Sequence, residues 1–372
     1  MKPIRILHIV SCLDKTSGIM SIVMNWYKNI NREKIQFDFL YCDRRVDTYQ
    51  NDIESLGGKI FYIPRLGITN YFSFKNQFEN FLALNSRVYK VIHLHEILLG
   101  FVCLPLAKSY GIDHLIVHSH STKYSSTFLK SVRNRLLCFN LKKNATIYFA
   151  CSREAGIFLF GKKDVINGKV LIVNNAIDCE KYRYNLSTRN RIKESLKLEN
   201  DFVVGHVGRF SFEKNHSFLV DIFENVKEIN PDAKLLLVGD GPLKDCVLKK
   251  VEQKGLADSV IFYGKSDHVN ELLQVMDVFV LPSFFEGLAL VLVEAQAAGL
   301  PCVATSSLSE DAKLVDDLYQ KCSLGSSPKQ WANTIIECGK KDKRDTYLEM
   351  QKRGYDIKSA TQEIENFYLA LK

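Results

Sequence analysis

Residues 278–304 read VFVLPSFFEGLALVLVEAQAAGLPCVA, a pattern that predicts a strand, a loop, a helix and a second strand. The apolar run Val278–Leu281 ends in a Pro-Ser loop, and an apolar helix is expected to begin near Leu288. Gly299 and Leu300 end that helix, and the strand Pro301–Ala304 follows at once. Two strands joined by a crossover helix form the βαβ unit of a parallel sheet.

The same alternation of β-branched apolar runs and helix-period segments extends over all 372 residues. The expected strands are Ile4–Val10, Gln36–Cys42, Lys59–Ile63, Val91–His95, Leu115–Ser119, Thr146–Ala150, Lys169–Val173, Val203–Val207, Lys234–Val238, Val260–Tyr263, Val278–Leu281 and Pro301–Ala304. This order predicts the α/β class, and a chain of this length suits two domains better than one core. The polar break Asn174–Asp178 is interpreted as the linker, so that two parallel-sheet domains, residues 1–173 and 174–352, face each other across a cleft.

Charge is unevenly divided along the chain, whose net charge is +8. Residues 1–170 contain 24 lysines and arginines against 12 acidic residues, a net charge of +12. The remaining 26 basic and 30 acidic residues give residues 171–372 a net charge of −4. The basic half could meet nucleic acid, a membrane surface or an anionic substrate.

Cysteine spacing and hydropathy indicate the cellular compartment in which the protein is expected. Ten cysteines are scattered without a CxxC pair, which favours reduced, mostly buried thiols over a disulfide frame or a zinc site. The N-terminus MKPIRILHIVSCLD reads as a strand and lacks the layout of a signal peptide. No apolar run approaches the ~20 residues that span a bilayer. We therefore expect a cytoplasmic protein.

Two cations follow the strand Val203–Val207, in the loop that begins at Gly208. Arg209 and Lys214 lie five residues apart on this loop and can converge on a diphosphate. Arginine offers a bidentate fork and lysine a mobile point charge, and both would stabilise charge on a departing phosphate. Taken alone, two solvated surface charges would be the ordinary explanation.

The loop Gly239–Asp240–Gly241–Pro242 resembles the start of a dinucleotide fingerprint. The third glycine of that fingerprint is missing, which argues against a nicotinamide dehydrogenase. Pro242 suits the first position of a helix, so a purely structural role for this loop is the stronger interpretation.

Two glutamates mark the βαβ unit around residue 290. Glu286 lies at the turn, and Glu294 is the only charge between Gly287 and Glu310. Free N–H groups at the start of the helix form an anion site, and ionised carboxylates accept hydrogen bonds from sugar and ribose hydroxyls. Alternatively, Glu286 caps the helix and Glu294 pairs with a basic neighbour.

The Arg/Lys pair, the two glutamates and the segment AAGLP together resemble retaining glycosyltransferase family 4, which has the GT-B architecture of two Rossmann-like domains. The resemblance is greatest to bacterial enzymes that build capsular polysaccharide and exopolysaccharide. It implies that Arg209 and Lys214 bind the diphosphate, that Glu286 approaches the donor sugar, and that Glu294 holds the ribose. It also implies a C-terminal helix, within residues 353–372, that crosses back to the N-terminal domain. Further donor-binding positions implied by the resemblance are Gly18, Gly208, Tyr263, Gly264, Lys265, Gly287, Leu288 and Ala289.

Two segments depart from the family pattern. The family's N-terminal glycine pair is here Ser17–Gly18, so only Gly18 matches. The glycine-rich loop after Pro301 is here Thr305–Glu310 without glycines, which leaves the role of Glu310 open.

Histidines occur as two HxH pairs at the ends of neighbouring strands, His93 with His95 and His118 with His120. Such pairs could indicate a metal hydrolase, but no downstream His or Asp set completes the site, and we predict no metal. By resemblance, His118 is a catalytic residue close to the donor's anomeric carbon, and His120 lies on the acceptor side. Strand-end histidines that simply bond to their neighbours are the alternative.

The basic excess is concentrated in residues 123–143, KYSSTFLKSVRNRLLCFNLKK, which contain six cations and no acid. Partly helical apolar spacing makes this segment a candidate for binding an anionic membrane surface. A solvated outer helix is the alternative, and no nucleic-acid motif is present.

The sequence therefore predicts a retaining, metal-independent glycosyltransferase without a cofactor, located at the inner face of the cell membrane. It would move a sugar from a nucleotide-diphosphate donor, with UDP favoured, to a saccharide or lipid-linked saccharide. A GT-B nucleotide-sugar epimerase and a non-catalytic nucleotide-sugar-binding subunit are the alternatives.

Overall fold

The computed structural model describes residues 2–67, 69–125, 127–286 and 289–371. The chain divides into two compact units, Met1–Ala176 together with Ile357–Lys372, and Ile177–Asp356. The expected domain ends, residues 173 and 352, lie three and four residues before the observed ones. Each unit is a parallel sheet with helices around it, as expected for the α/β class.

The first unit contains a seven-stranded sheet in which every neighbouring pair is parallel. Its strands are β1 (Ile4–Cys12), β2 (Ile35–Asp43), β3 (Ile60–Tyr62), β4 (Tyr89–Leu94), β5 (His114–Ser119), β6 (Ile147–Ala150) and β7 (Val170–Ile172). Their order is β3-β2-β1-β4-β5-β6-β7, so the direction of winding reverses between β1 and β4. The strand predicted at Lys169–Val173 is the edge strand of this first sheet.

Helices cover this sheet, since each parallel strand needs a crossover to the next. They are α1 (Gly18–Asn29), α2 (Gln50–Ser55), α3 (Tyr71–Asn85), α4 (Gly100–Ser109), α5 (Phe128–Leu137), α6 (Leu141–Asn144), α7 (Arg153–Phe160) and α8 (Lys162–Ile166). The central strands are buried on both faces, so β1 and β4 are apolar almost throughout.

The second unit contains a six-stranded sheet, again with every neighbouring pair parallel. Its strands are β8 (Phe202–Val207), β9 (Ala233–Val238), β10 (Val260–Gly264), β11 (Val278–Leu281), β12 (Cys302–Thr305) and β13 (Tyr319–Cys322). Its helices are α9 (Cys179–Tyr182), α10 (Leu186–Ser195), α11 (His216–Ile229), α12 (Lys244–Gln253), α13 (Val269–Val275), α14 (Leu290–Ala297), α15 (Pro328–Cys338) and α16 (Tyr347–Lys352). The order β10-β9-β8-β11-β12-β13 reverses between β8 and β11.

One strand, β13, was not predicted from the sequence. Its four residues, YQKC, contain neither a β-branched side chain nor an apolar run, and they form the edge of the sheet. Pairing with β12 sets their conformation, because Cys302 and Thr305 align with Tyr319 and Cys322.

The C-terminal helix α17 (Ile357–Ala370) belongs to the first unit. Its Glu365 accepts hydrogen bonds from the Asn31 backbone N–H and the Lys34 Nζ, each 3.1 Å long. Tyr368 is fully buried, and its hydroxyl lies 2.6 Å from the Nδ1 atom of His93 on β4. The hydrogen bonds to Glu365 and the burial of Tyr368 thus attach this helix to the rest of the first unit.

All ten cysteines have free thiols, and seven of them are buried. Across the described part of the chain, the longest apolar helices fall short of what a bilayer crossing requires.

Candidate functional site

The loops that follow β8 and β11 meet where the strand order of the second sheet reverses. Two hydrogen bonds join them: the Phe284 N–H donates to the Glu213 carbonyl at 2.9 Å, and the Asn215 Nδ2 donates to the Pro282 carbonyl at 3.1 Å. Asn215 has a positive φ of 56°, which turns the chain sharply into α11. In open α/β sheets, ligands bind at such a reversal, beyond the carboxyl ends of the strands.

Lys214 and Glu286 form an ion pair across these two loops, with Nζ and Oε1 separated by 2.6 Å. Both side chains are largely buried, with exposed fractions of 16% and 12%. The Ser283 hydroxyl donates to the same carboxylate oxygen at 2.8 Å. A predicted phosphate-binding cation and a predicted sugar-binding carboxylate therefore contact each other directly, although 72 residues separate them.

Arg209 lies on the same loop as Lys214, and its side chain is exposed. Within the described residues its guanidinium makes no ion pair, so its donors are available to a ligand. Together, Arg209 and Lys214 place two cations beside a strand end, which is the arrangement that binds a diphosphate.

Glycines allow the neighbouring loops to approach this site closely. A Cβ atom on Gly239 would lie 2.1 Å from the carbonyl oxygen of Gly208, and Gly239 has a φ of +139°. The Gly208 N–H also donates to the Val238 carbonyl at 2.9 Å. The loop after β9 thus supports the loop that carries Arg209 and Lys214, which is the structural role expected for Gly239.

The donor-binding positions expected at Tyr263, Gly264 and Lys265 lie at the end of β10. The Gly264 carbonyl accepts a hydrogen bond of 2.8 Å from the Gly239 N–H, which fixes the segment beside the glycine loop. Tyr263 and Lys265 on either side of Gly264 are exposed. Gly264 has a φ of +86°, a conformation that favours glycine.

Glu294 lies on α14 and is bonded to Tyr182 of α9, whose hydroxyl donates to Oε1 at 2.9 Å. Burial raises the pKa of Glu294 to about 7, against the smaller opposing effects of the Tyr182 hydrogen bond and the Lys181 charge. The contact of Tyr182 with Glu294 was not predicted from the sequence, because the two residues are 112 positions apart. A basic partner was the alternative expected for Glu294, but the observed hydrogen-bond partner is the phenol of Tyr182.

Ala289 is buried and precedes the first residue of α14. Gly287 and Leu288, the other two positions predicted for the start of this helix, lie outside the described residues.

Gly18 and Glu310 belong to neither of these loops. Gly18 begins α1 in the first unit, where Ser17 caps the helix by accepting from the Met20 N–H at 3.4 Å, and a side chain at Gly18 would meet open space. Glu310, in the loop without glycines, is exposed and pairs with the Lys321 Nζ at 2.6 Å. These contacts neither require nor exclude a ligand.

Five histidines of the first unit form a stack of rings. All but the half-buried His120 are buried, and each ring is hydrogen-bonded to a neighbouring ring. His93 Nε2 lies 3.1 Å from His118 Nδ1. His95 bonds to His8 at 2.9 Å and to His120 at 2.8 Å. The stack arises because His8 aligns with His93 across β1 and β4, and HxH spacing places both histidines of a pair on one face.

His118 is fully buried in this stack, and its ring lies 10° from parallel to that of Trp26, with centroids 5.9 Å apart. Its Nε2 has no hydrogen-bond partner among the described atoms. The bonding of His118 to His93 matches the alternative of a strand-end histidine that contacts its neighbour. Chemical roles for His118 and His120 stay predictions.

Burial lowers the pKa of His8 and of His120 to about 3. The pKa of His93, of His95 and of His118 is lowered well below 6.5, again mainly by burial. Neutral imidazoles are potential metal ligands, and in the described chain His8, His93 and His95, like His95, His118 and His120, bring nitrogens within 4.8 Å of one another. The rings are nearly parallel, however, whereas metal coordination needs in-plane lone pairs that converge on one point.

The basic segment 123–143 contains α5 and the start of α6. Several of its apolar side chains face solvent: Phe128, Leu129 and Leu136 are 80%, 81% and 71% exposed. Lys142 is occupied, since it pairs with Asp164 and donates to the Phe160 carbonyl. Exposed apolar side chains next to cations differ from the polar face of an ordinary outer helix.

Comparison with known proteins identifies relatives of the chain. The family model described as "Glycosyl transferases group 1" matches residues 187–356. EpsF of Bacillus subtilis (strain 168), named as a glycosyltransferase, is 34% identical over 371 residues, which cover 98% of this chain and 96% of EpsF. The UDP-Gal:alpha-D-GlcNAc-diphosphoundecaprenol alpha-1,3-galactosyltransferase of Escherichia coli is 26% identical over 82% of this chain and 79% of its own length.

Among solved structures, that of Anabaena Alr3699/HepE in complex with UDP and glucose superposes with a TM-score of 0.75. It shares 19% sequence identity and covers 98% of this chain and 99% of that chain. At this identity, the likeness establishes the fold.

Proposed function

This chain belongs to the group 1 glycosyltransferase family and is a glycosyltransferase, and from that premise we propose a specific reaction for it. The reaction moves a sugar from a UDP-sugar to a lipid-diphosphate-linked saccharide during synthesis of a surface polysaccharide. The anomeric configuration is retained, and no metal takes part in the chemistry.

The proposal for the sugar donor rests on one observation: Lys214 and Glu286 form an ion pair between the loop that also carries Arg209 and the loop after β11. Transfer breaks the bond between the sugar and the β-phosphate, so negative charge grows on the diphosphate. Two cations stabilise that charge: Lys214, which is held by Glu286, and Arg209, whose guanidinium is exposed. UDP is the favoured nucleotide because the HepE structure, which has the same fold, contains UDP.

Retention is proposed because the donor segment resembles the retaining family, and the contacts of Glu286 bear on how retention is achieved. Its Oε1 atom already accepts from Lys214 and Ser283, and a carboxylate held in this way is a weak nucleophile. Two-carboxylate glycosidases instead use a free carboxylate as nucleophile. We therefore infer front-side substitution, in which the leaving phosphate takes the acceptor hydroxyl's proton and Glu286 orients the donor sugar.

Glu294 is proposed to hold the ribose. An ionised carboxylate accepts hydrogen bonds from two vicinal hydroxyls, and Tyr182 fixes the orientation of this one. A raised pKa makes the interaction depend on pH near neutrality.

The acceptor half is supported by the Escherichia coli relative, whose name specifies a diphosphoundecaprenol-linked substrate. The exposed apolar and basic face of α5 suits an anionic membrane, where such a substrate resides. Reversing two charges in Lys130→Glu/Arg135→Glu should weaken binding to anionic vesicles. A matched reversal of two exposed charges elsewhere in the first unit, Arg87→Glu/Lys108→Glu, should have less effect, and equal effects would refute docking through α5.

The reaction is tested by incubating the protein with a panel of nucleotide sugars, with and without a diphosphoundecaprenol-linked saccharide. We expect the sugar to be transferred from one UDP-sugar, with retention, only when acceptor is present. A donor sugar that changes without acceptor would indicate an epimerase instead. Binding of UDP-sugar without turnover under any condition would indicate a non-catalytic subunit.

The phosphate assignment has a sharper test. Lys214→Ala should lower kcat about 100- to 1,000-fold, the usual cost of removing one group that stabilises transition-state charge. Lys249→Ala, an equal change at an exposed position of α12, is the matched control and should retain full activity. Full turnover in Lys214→Ala would refute the assignment.

A further inference from the structure

A cavity of about 660 Å³ lies wholly within the first unit. Ser11 near the end of β1, Asp43 at the end of β2 and Glu96 just after β4 contribute to its lining. The strand order of this sheet reverses between β1 and β4. Ligands of open α/β sheets bind at such reversals, and the volume is typical of a small-molecule site.

Much of the cavity wall is apolar. Tyr71 and Phe101 line it with nearly parallel rings, their centroids 6.3 Å apart. The other apolar lining residues are Leu66, Leu98, Leu99 and Leu137. A saccharide carries hydroxyls around the edge of its ring, and a wall of leucines would leave many of them without hydrogen-bond partners, so an apolar wall of this extent fits hydrocarbon better than sugar.

The cavity also carries two arginines, Arg65 and Arg133. Within the described chain, neither has a carboxylate oxygen within 4.0 Å, whereas the lining residue Asp43 pairs with Arg45 at 2.6 Å. Glu96 is the remaining acid of the lining, and burial raises its pKa. With Asp43 paired to Arg45, the two arginines outnumber Glu96, so the net charge around the cavity is positive and complementary to an anionic group.

Arg133 is held in place by its neighbour. Its Nε and Nη2 atoms donate to the Asn134 Oδ1 at 3.0 and 2.8 Å, and Asn134, which is buried, donates in turn to the Tyr124 carbonyl at 2.8 Å. Two guanidinium nitrogens of Arg133 are thus fixed, which leaves Nη1 as a donor of defined direction. An oriented guanidinium is the usual partner of a phosphate oxygen.

Helix α5 connects the cavity to the exposed apolar face. Arg133 and Leu137 lie one turn apart and line the cavity, while Leu129, Val132 and Leu136 on the adjoining face are exposed. A lipid whose hydrocarbon rests against this face would have its head group within reach of Arg133.

We propose that this cavity binds the phosphate-bearing head of a polyisoprenyl lipid. Arg65 and Arg133 bind the phosphate oxygens, and the apolar wall contacts the isoprene units next to the phosphate. The inference rests on the proposed function in one respect, that the acceptor is linked to such a lipid. It adds where the carrier binds and which residues recognise it.

Farnesyl diphosphate is a soluble probe that carries both features, a diphosphate and three isoprene units. We expect it to bind the intact protein without any nucleotide and to inhibit competitively against the lipid-linked acceptor. Arg65→Gln and Arg133→Gln should each weaken its binding about tenfold or more, as loss of one charge-assisted hydrogen bond does. Arg87→Gln, an equal change at an exposed position outside the cavity, is the matched control.

Steady-state kinetics separate recognition from folding and from donor binding. In the two cavity variants, the KM for the lipid-linked acceptor should rise while the KM for the UDP-sugar stays unchanged. The inference is overturned if inorganic pyrophosphate binds as tightly as farnesyl diphosphate, or if the Arg65 and Arg133 variants bind the probe as the Arg87 variant does. Absence of sugar transfer together with normal, arginine-dependent probe binding would refute the proposed function and leave this inference standing.

Discussion

Acidification from about pH 7.5 to about pH 5.5 should destabilise the first unit much more than the second, because of the stack of histidines. His8, His93, His95 and His118 are buried and His120 is half-buried, and the five rings are hydrogen-bonded mainly to one another. Each has a folded-state pKa far below its ordinary value of 6.5. As the pH falls below 6.5, the unfolded chain takes up protons that the folded unit does not, and the equilibrium shifts toward unfolding.

The magnitude follows from the pKa of His8 and of His120, lowered to about 3. At about pH 5.5 an unfolded histidine is about tenfold more often protonated than neutral, which costs the folded state about 1.4 kcal/mol for each residue. Five independent histidines would cost about 7 kcal/mol, comparable to the whole stability of a typical domain. Mutual interactions and residual structure in the unfolded chain reduce this sum, so it is an upper value.

The second unit provides an internal comparison. His206 and His216 are buried there, and burial lowers the pKa of His216 to about 4. Burial raises the pKa of Glu294 to about 7, which has the opposite effect. The folded unit takes up a proton at Glu294 that the unfolded chain does not, so this group adds stability as the pH falls from about 7 toward 4.5.

The two tryptophans of the chain allow each unit to be followed alone, since Trp26 lies in the first and Trp331 in the second. Urea unfolding of Trp331→Phe, monitored by fluorescence, reports Trp26, which stacks on His118. Trp26→Phe reports Trp331 in the same way. The midpoint of the Trp26 transition should fall steeply between the two pH values, and that of Trp331 should fall less.

An unchanged Trp26 midpoint at the lower pH would refute the reasoning, since it would mean that the stack accepts protons while folded. A further variant tests the assignment to the stack. His120→Gln removes one titrating ring near the end of the series and should make the pH dependence of the Trp26 transition shallower, whatever its effect on stability at neutral pH.

Three further outcomes are expected in the second unit. Affinity for a UDP-sugar, measured by calorimetry, should decline as the pH falls below about 7 because Glu294 becomes protonated, and Glu294→Gln should bind weakly at every pH. Tyr182→Phe removes a hydrogen bond that lowers the pKa of Glu294, so the decline should begin at a higher pH. Gly239→Ala, whose methyl group would lie 2.1 Å from the Gly208 carbonyl, should cost about 1–3 kcal/mol in urea unfolding and weaken donor affinity, while Gly325→Ala, where the nearest atom is 3.5 Å away, should cost little.

Strand positions were predictable because central parallel strands are buried on both faces and so appear as apolar runs. All twelve expected strands are present, β8 and β11 among them. The omission of β13 has the converse cause, since an edge strand with one short pairing needs no apolar run. The edge strands β3 and β7 are only partly buried, yet they consist of apolar residues and were predicted, whereas β13 has no such run.

The donor residues were predictable to the extent that they lie in short continuous segments. These residues occupy two loops and helix α14, so their spacing is visible in the sequence. The pairs are Arg209 with Lys214, and Glu286 with Glu294. Their partners were not predictable. Tyr182 meets Glu294 only because α9 packs on α14, and Lys214 meets Glu286 only because β8 pairs with β11.

The histidines show the same limit from the other direction. HxH spacing places both histidines of a pair on one face of a strand. The hydrogen bond between His93 and His118, however, depends on the register of β4 against β5. The rings are hydrogen-bonded in two sets, His8–His95–His120 and His93–His118, and each set draws on different strands. Register is a property of paired strands, and a single sequence does not state it.

The cavity of the first unit extends this argument to the acceptor. Its lining comes from six separated segments between Ser11 and Leu137, each contributing one to four residues, so no continuous motif encodes it. The donor loops, in contrast, surround one ion pair in a family-wide segment. If acceptor recognition resides in the cavity, relatives that share the donor motif can change acceptor by single substitutions at scattered positions such as Arg65. Acceptor identity should therefore follow the charge and bulk of these lining residues, and not the donor motif by which the family is recognised.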